Sequence, residues 1–350
     1  MSKDRDLLAA FLLLLVLASL PWWALKNSYT MGIVINALAF VSLGLAWNII
    51  SGFGGQLSMG HAAFYGLGGY TSALLLTRLG ITPWVGMVPG MVMAVFAGLI
   101  LGYPSFRLSG VYFKLVTFTF GLILEIVARS WINLTEGDPG VKIPLLGNAP
   151  AMYQFDSAWP YYYIILGLAA LYFLISRWVL RSRFGFYLQA LRDDQVAAET
   201  LGINSLRMKL TGFALSAAMA ALVGTFVTQY LLFIDPASGF GMFTSVKIAL
   251  VAIVGGTGAL WGPVIGGLFL IPLAELANAQ FSNITGVDVV LYSAVLILTA
   301  MFLPRGLVSI PDLLRVRRAP QVAPEEQPLP EQKSRLSGEL GLTEANPKAE

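Results

Sequence analysis

His61 is the one imidazole in a chain of 350 residues that contains no cysteine. A lone histidine can carry a proton or make a hydrogen bond inside a helix bundle. It cannot build a histidine or thiolate metal cluster, so no metal site is expected. His61 lies in SGFGGQLSMGHAAFYGLGGY, residues 51–70, which hold seven glycines. Asn48, Gln56 and Ser58 add amide and hydroxyl groups beside it. A second glycine break, VGGTGALWGPVIGG at 254–267, contains Gly256 and Thr257. The two breaks align as G-x-x-G-x-L, with Gly52, Gly55 and Leu57 against Gly255, Gly258 and Leu260. Paired glycine-interrupted segments in two halves of a chain point to a permeation path. Asn48, Gly55, Gln56, Ser58, His61, Gly256 and Thr257 are therefore the candidates for groups near a substrate pathway. No catalytic residue is expected, because one histidine and scattered carboxylates supply no acid, base or nucleophile cluster. The competing reading of the glycines is close helix packing, and that of His61 a hydrogen-bonded packing role.

The elements that must position these groups are apolar. The chain is 57% hydrophobic and 12% charged, against about 25% charged in soluble domains. Continuous apolar runs of roughly 20 residues recur, the length a helix needs to cross a bilayer. A barrel would instead alternate over about 10 residues. The expected fold class is all-α, a polytopic membrane protein of about ten transmembrane helices. The predicted spans are 7–25, 31–50, 61–77, 83–103, 111–131, 161–179, 209–231, 243–258, 262–281 and 287–303. The third and eighth are short and glycine-rich, so each is a possible broken or re-entrant segment. Lys3 and Arg5 before the first run imitate a signal peptide, but that run is long and another span follows at once, favouring an uncleaved helix.

Basic residues collect in cytoplasmic loops. The longest basic connection, 177–209, carries Arg177, Arg181, Arg183, Arg192, Arg207 and Lys209. Placing it inside leaves thirteen basic residues on inner segments and four on outer ones. Both termini then face the cytoplasm. The domain reading is a transmembrane body over 1–310, with a cytoplasmic loop at 180–208 and an external loop at 132–160. The remainder, 311–350, is expected to be a disordered cytoplasmic tail, since from Ala319 it holds five prolines, six glutamates and few apolar residues. The external loop suits docking of a partner, lidding of a pore or a plain solvated connection.

Helices in lipid associate by close packing of small residues. Ala62, Gly66, Gly69 and Ala73 share one face of the third span. Gly212, Ser216, Ala220, Gly224 and Thr228 form a slowly winding ridge on the seventh. Polar groups inside or beside spans are costly. Besides the pathway candidates they are Asn36, Lys114, Thr117, Thr119, Glu125, Gln229, Lys247 and Glu275. Glu125 and Arg129 are spaced to pair, and no row of acids suggests a proton or sodium relay.

In the cytoplasmic loop, Leu188, Leu191, Val196 and Ala198 give an apolar side to a short helix, while Arg192, Asp193, Asp194 and Glu199 give a polar one. Its mixed charge favours docking to a soluble partner over lying on headgroups.

The ordered set GLAWNIISGFGGQLSMGHAAFYGLGGYTSALL, RLSGVYFKLVTFTFG, RSRFGFYLQALRDDQVAAETLGIN, VAIVGGTGALWGPVIGG and PRGL resembles the branched-chain amino acid permease family of ABC importers, in its M-type subunit. The likeness runs from about 31 to 307. It implies a permease subunit of the bacterial inner membrane, paired with a second homologous permease. Two cytoplasmic ATPase subunits and an external binding protein complete such an importer. ATP and Mg are implied on the partner subunits, with no cofactor on this chain and no nucleic-acid partner. The resemblance implies an ATPase-coupling helix carrying Phe184, Gly185, Leu188, Leu191, Arg192, Ala197, Ala198 and Gly202. Importer permeases generally carry E-A-A-x-x-x-G there. Here Val196 replaces the acid before Ala197, Ala198 and Gly202. G-x-x-x-x-G-K-[ST] is absent, so this chain is not expected to be an enzyme. A urea or short-amide importer and a stand-alone small-solute channel are the alternatives.

Overall fold

Within lipid every backbone polar group must be satisfied inside its own segment, so apolar runs become helices. The computed structural model describes residues 3–23, 27–108, 110–280, 286, 290, 293–295, 297–298 and 306–309. In chain order the α-helices are α1 (Lys3–Trp23), α2 (Ser28–Asn48), α3 (His61–Leu79), α4 (Pro83–Ser105) and α5 (Val111–Ser130). Then follow α6 (Ile132–Thr135), α7 (Ala158–Arg181), α8 (Arg183–Asp193), α9 (Gln195–Thr200) and α10 (Ser205–Leu231). The series closes with α11 (Pro236–Phe240), α12 (Met242–Gly255) and α13 (Gly262–Gln280). Two short strands, β1 (Val141–Lys142) and β2 (Phe233–Ile234), pair antiparallel.

Eight of these stretches among the described residues are long and apolar enough to cross a membrane, with α11 and α12 counted as one. The third predicted span is also helical, as α3, but is not one of the eight. Its histidine, glycines and tyrosines lower its hydropathy. The packing explains how such a helix is tolerated: His61, Ala62, Ala63, Phe64 and Gly68 are all buried, so this helix meets protein where others meet lipid. The eighth predicted span starts at Met242, after a break at Gly241 that separates it from α11. The tenth, 287–303, and the tail, 311–350, lie largely and wholly outside the described residues.

The core is built from α2, α3 and α10. In α2 and its continuation 83% of the most apolar window is buried, against 6% in α1. Gly68 lets α3 touch two neighbours at once. A Cβ there would overlap the Ala221 carbonyl of α10, and a Cβ at Gly90 of α4 would lie 3.2 Å from the Gly68 carbonyl oxygen. Thr225 of α10 donates to that same carbonyl at 3.1 Å. Gly66 and Gly69, on the face expected for packing, meet Phe240 of α11 and Thr228 of α10. Gly68 was not on that face. It is the glycine at the closest backbone approach, because α3 is enclosed on several sides.

The 132–160 loop is a built cap, not a plain solvated connector. Val141 pairs with Ile234, and Val141, Tyr153 and Gln154 are buried. Gln154 accepts from the Leu146 N–H at 2.7 Å and donates to the Pro144 carbonyl at 2.9 Å. Trp84 donates to the Pro150 carbonyl at 2.9 Å. Glu125 and Arg129 pair at 2.8 Å, and Arg129 also pairs with Asp138 in the cap.

Candidate functional site

The helix α2 does not stop cleanly at Asn48. It continues as one π turn, Ile49–Phe53, a widening often found at functional sites. Gly55 then turns the chain with φ +68°, and residues 56–60 run back alongside α2. The Trp47 indole N–H fixes this return by donating to the Ser58 carbonyl at 2.8 Å.

The two glycine breaks meet. Fully buried Asn48 holds the second break at two points. Its Oδ1 accepts from the Gly258 N–H at 2.9 Å, and its Nδ2 donates to the Ala259 carbonyl at 3.0 Å. The absence of side chains is what allows the approach: a Cβ at Gly52 would lie 2.6 Å from the Gly258 nitrogen. Gly258 itself sits at φ +75° and Gly256 at φ +124°. Gly306, from PRGL, packs against the Gly256 backbone.

Arg192, near the end of α8, lies over this junction. Its Nη1 donates to the Gly52 carbonyl at 3.3 Å. A Cβ at Gly55 would be 2.6 Å from its Cγ, and one at Gly258 would be 3.1 Å from its Nη1. One side chain thus touches both breaks. Asp193 holds the same guanidinium at 3.0 Å.

His61 and Ser58 belong to a second, separate cluster. The Ser216 hydroxyl donates to the Ala46 carbonyl at 2.6 Å. Its oxygen therefore accepts at 2.7 Å from the His61 Nε2–H. Nδ1 faces the Ser58 hydroxyl at 3.1 Å. Both ring nitrogens are thus engaged. It pins α3 to α10 and α2, and leaves no nitrogen free for cargo in this conformation. Ser216→Ala removes the acceptor of a buried N–H, at a cost of about 1–3 kcal/mol. The expected result is a lower Tm for the purified protein in detergent.

The seven pathway candidates therefore divide. Asn48, Gly55 and Gly256 form the glycine junction, and Ser58 and His61 the buried relay. Gln56 is half-buried, and its side chain joins neither group. Gly55 and Thr257 are exposed at the end that carries α8. The sequence reading missed Ser216 as a partner of His61, having taken it as one of a ridge of small residues. It also missed the reach of Arg192, whose partner lies 140 positions away.

The expected single helix in the 180–208 loop is two, broken at Asp194. Ser182 caps α8 through the Gly185 N–H at 3.2 Å, and Asp194 caps α9 through the Ala197 N–H at 3.0 Å. Each cap supplies an acceptor for an N–H that the first turn leaves unpaired. Hydrogen bonds from Ser205 and Gln195 hold the Glu199 carboxyl below its ordinary range. Of the expected coupling residues, Gly185, Leu188, Leu191 and Ala198 are buried against the bundle, Phe184 is half-buried, and Arg192, Ala197 and Gly202 are exposed. The four buried ones secure the helices and present no surface to a partner. The exposed apolar groups are Phe186, Tyr187, Val196 and Leu201. Val196 thus faces away from the side on which its periodicity placed it, because the kink at Asp194 resets the helical phase.

Residues 29–300 match the family model described as the permease component of branched-chain amino acid transport systems. The high-affinity branched-chain amino acid transport system permease protein LivM of Escherichia coli K12 is 28% identical over 320 residues, covering 85% of this chain and 74% of that protein. LivH of the same strain, named as a permease protein of the same kind of system, is 28% identical over 83% of this chain and 96% of its own. A probable branched-chain amino acid transport permease of Methanocaldococcus jannaschii is 21% identical over 73% of this chain and 80% of that protein. No solved structure matches.

Proposed function

The chain belongs to the family of branched-chain amino acid transport permeases of ABC transporters, and from that premise we propose that it is the M-type half of an ATP-driven importer for leucine, isoleucine and valine. It works beside a homologous second permease, with two cytoplasmic ATPases that bind ATP and Mg and an external binding protein that delivers cargo. The end that carries α8 and α9 is cytoplasmic in this reading, as are both termini, and the membrane is the bacterial inner membrane. The body comprises residues 1–310 and the tail 311–350.

The observation that carries the reading is the link from α8 to the glycine junction. Exposed Phe186, Tyr187, Val196 and Leu201 offer an apolar face next to a basic helix end, a surface suited to a groove on a soluble partner. From the same helix Arg192 reaches Gly52 and covers Gly55 and Gly258. A push on α8 is thus delivered to the place where α2 and α12 end. Closure of the ATPases moves this lever, and the bundle rocks between outward and inward openings. Cargo leaves past exposed Gly55 and Thr257. No covalent chemistry on the amino acid is needed.

Reconstitution in liposomes tests the reading directly. Labelled leucine enters only when both ATPases, ATP and the binding protein are present. Leucine entry without them identifies a channel, and uptake of urea in place of leucine identifies a short-amide importer. A second measurement tests the docking face. Val196→Asp with Leu201→Asp puts two charges into an apolar contact, and is expected to weaken ATPase binding by about tenfold or more. Purified permease should keep its Tm, because both side chains are exposed. ATPase binding unchanged by the double substitution rules out this face as the contact.

A further inference from the structure

Glu275 has no part in the glycine junction, yet it is half-buried against α2. It is thirteen residues above the start of α13, about 20 Å along the helix. Asn36, eight residues below the start of α2, meets it: Nδ2 donates to Glu275 Oε1 at 3.1 Å. Two other acids of the spanning helices have basic partners. Asp6 lies 3.7 Å from Arg177, and Glu125 pairs with Arg129. Glu275 has no basic partner among the described residues. A carboxylate at that depth faces water or a cation, not lipid.

What it faces is a cavity of about 280 Å³ between α2, α10 and α13. That is just below the roughly 300–1,000 Å³ of pockets for drug-sized ligands, a size for one small molecule. Gly32 helps open it: a Cβ there would lie 3.4 Å from the Tyr230 hydroxyl. The groups offered are unequal in kind. Glu275 Oε2 and Asn36 Oδ1 accept, the Ser28, Tyr29 and Tyr230 hydroxyls accept or donate, and Ile35, Ala39, Phe226 and Val227 supply apolar wall. An ammonium has three N–H donors and no acceptor. A carboxylate with further groups able to accept, beside an aliphatic wall, therefore suits a primary ammonium on a short apolar body and disfavours an anion.

We propose that this cavity is a binding station for the cargo's ammonium group in the half of the bundle away from α8, with Glu275 as its counter-charge and Asn36 as a second acceptor. The proposal rests on the reading above that the cargo is an amino acid. Asn36 acts by holding Glu275 toward the cavity and by accepting a further N–H. The apolar wall receives the branched side chain.

The test uses the complete importer in liposomes, with leucine as the probe. Glu275→Gln keeps shape and removes charge; Glu275→Asp keeps charge. Leucine uptake is expected to fall at least about tenfold in Glu275→Gln and to stay within about threefold of wild type in Glu275→Asp. Equal uptake by wild type and Glu275→Gln overturns the site and leaves the importer reading standing. Dissociation of the permease pair in Glu275→Gln, seen by gel filtration, also overturns it, because Glu275 then pairs with a cation of the second permease. If wild-type vesicles take up no leucine, the cargo reading fails and this assignment fails with it.

Discussion

Replacing Gly224 with alanine abolishes most of the folded, detergent-stable protein. A Cβ at this position would fall on the Tyr65 carbonyl, with the Tyr65 Cα only 3.1 Å away. Both atoms belong to the backbone of α3, so no rotamer can relieve the overlap. The helices must separate, and separation forfeits the contacts that hold them. Without a large hydrophobic drive between helices in lipid, close packing and hydrogen bonds carry association. The Thr225 bond to Gly68 and the His61 bond to Ser216 lie on the same seam and go with it. Overpacking a fitted core costs about 1–3 kcal/mol where side chains can adjust; here they cannot, and the penalty exceeds that range. Gly212, on the same ridge, is the control. Its Cβ would meet only side-chain carbons of Ile50 and Leu188, at 3.5 Å. Fluorescence-detected gel filtration should show a monodisperse peak for Gly212→Ala and little or none for Gly224→Ala. A normal peak for Gly224→Ala would contradict the backbone contact.

Asn48→Ala leaves the protein folded and stops it working. The substitution strips the Gly258 N–H of its acceptor and the Ala259 carbonyl of its donor. Both groups are part-buried, and each left unpaired costs up to about 1–3 kcal/mol. The loss is local, because the helices on either side remain packed by their own contacts. The second glycine break then moves independently of the first, and Arg192 pulls on one without the other. The expected result is leucine uptake reduced by about tenfold or more, while binding-protein-stimulated ATP hydrolysis continues. Asn48→Asp keeps the acceptor for Gly258 but sets an oxygen against the Ala259 carbonyl, so it does not rescue. The ratio of leucine transported to ATP hydrolysed is the decisive measurement. An unchanged ratio in Asn48→Ala excludes the clamp from coupling.

Much of the fold was legible because one signal, continuous hydropathy at span length, carries it. The boundaries of α4 and α5 lie within two residues of such runs, while α10 starts four residues before its predicted span. The glycine alignment was legible for a different reason: two backbones that must touch can carry no side chains at the contact, so both wrote glycine. Hydropathy could not show which glycine touches what. Gly68 lies off the obvious small-residue face, and only the enclosure of α3 gives it two neighbours. The return of residues 56–60 was also hidden, since an irregular segment inside a bundle has no hydropathic signature. Val196 was misassigned by treating 185–201 as one helix. Asp194 is a strong cap residue, and read as such it marks the break.

The modest hydropathy of α3 has a consequence for biosynthesis. When α3 leaves the ribosome, α10, which will cover it, has yet to be translated. A segment with a histidine and several glycines then partitions weakly into the bilayer by itself. The strongly apolar α2, joined to it by the Gly55 turn, supplies the affinity that α3 lacks. The hairpin therefore enters the membrane as one insertion unit, and the order of translation is part of how this permease acquires its topology.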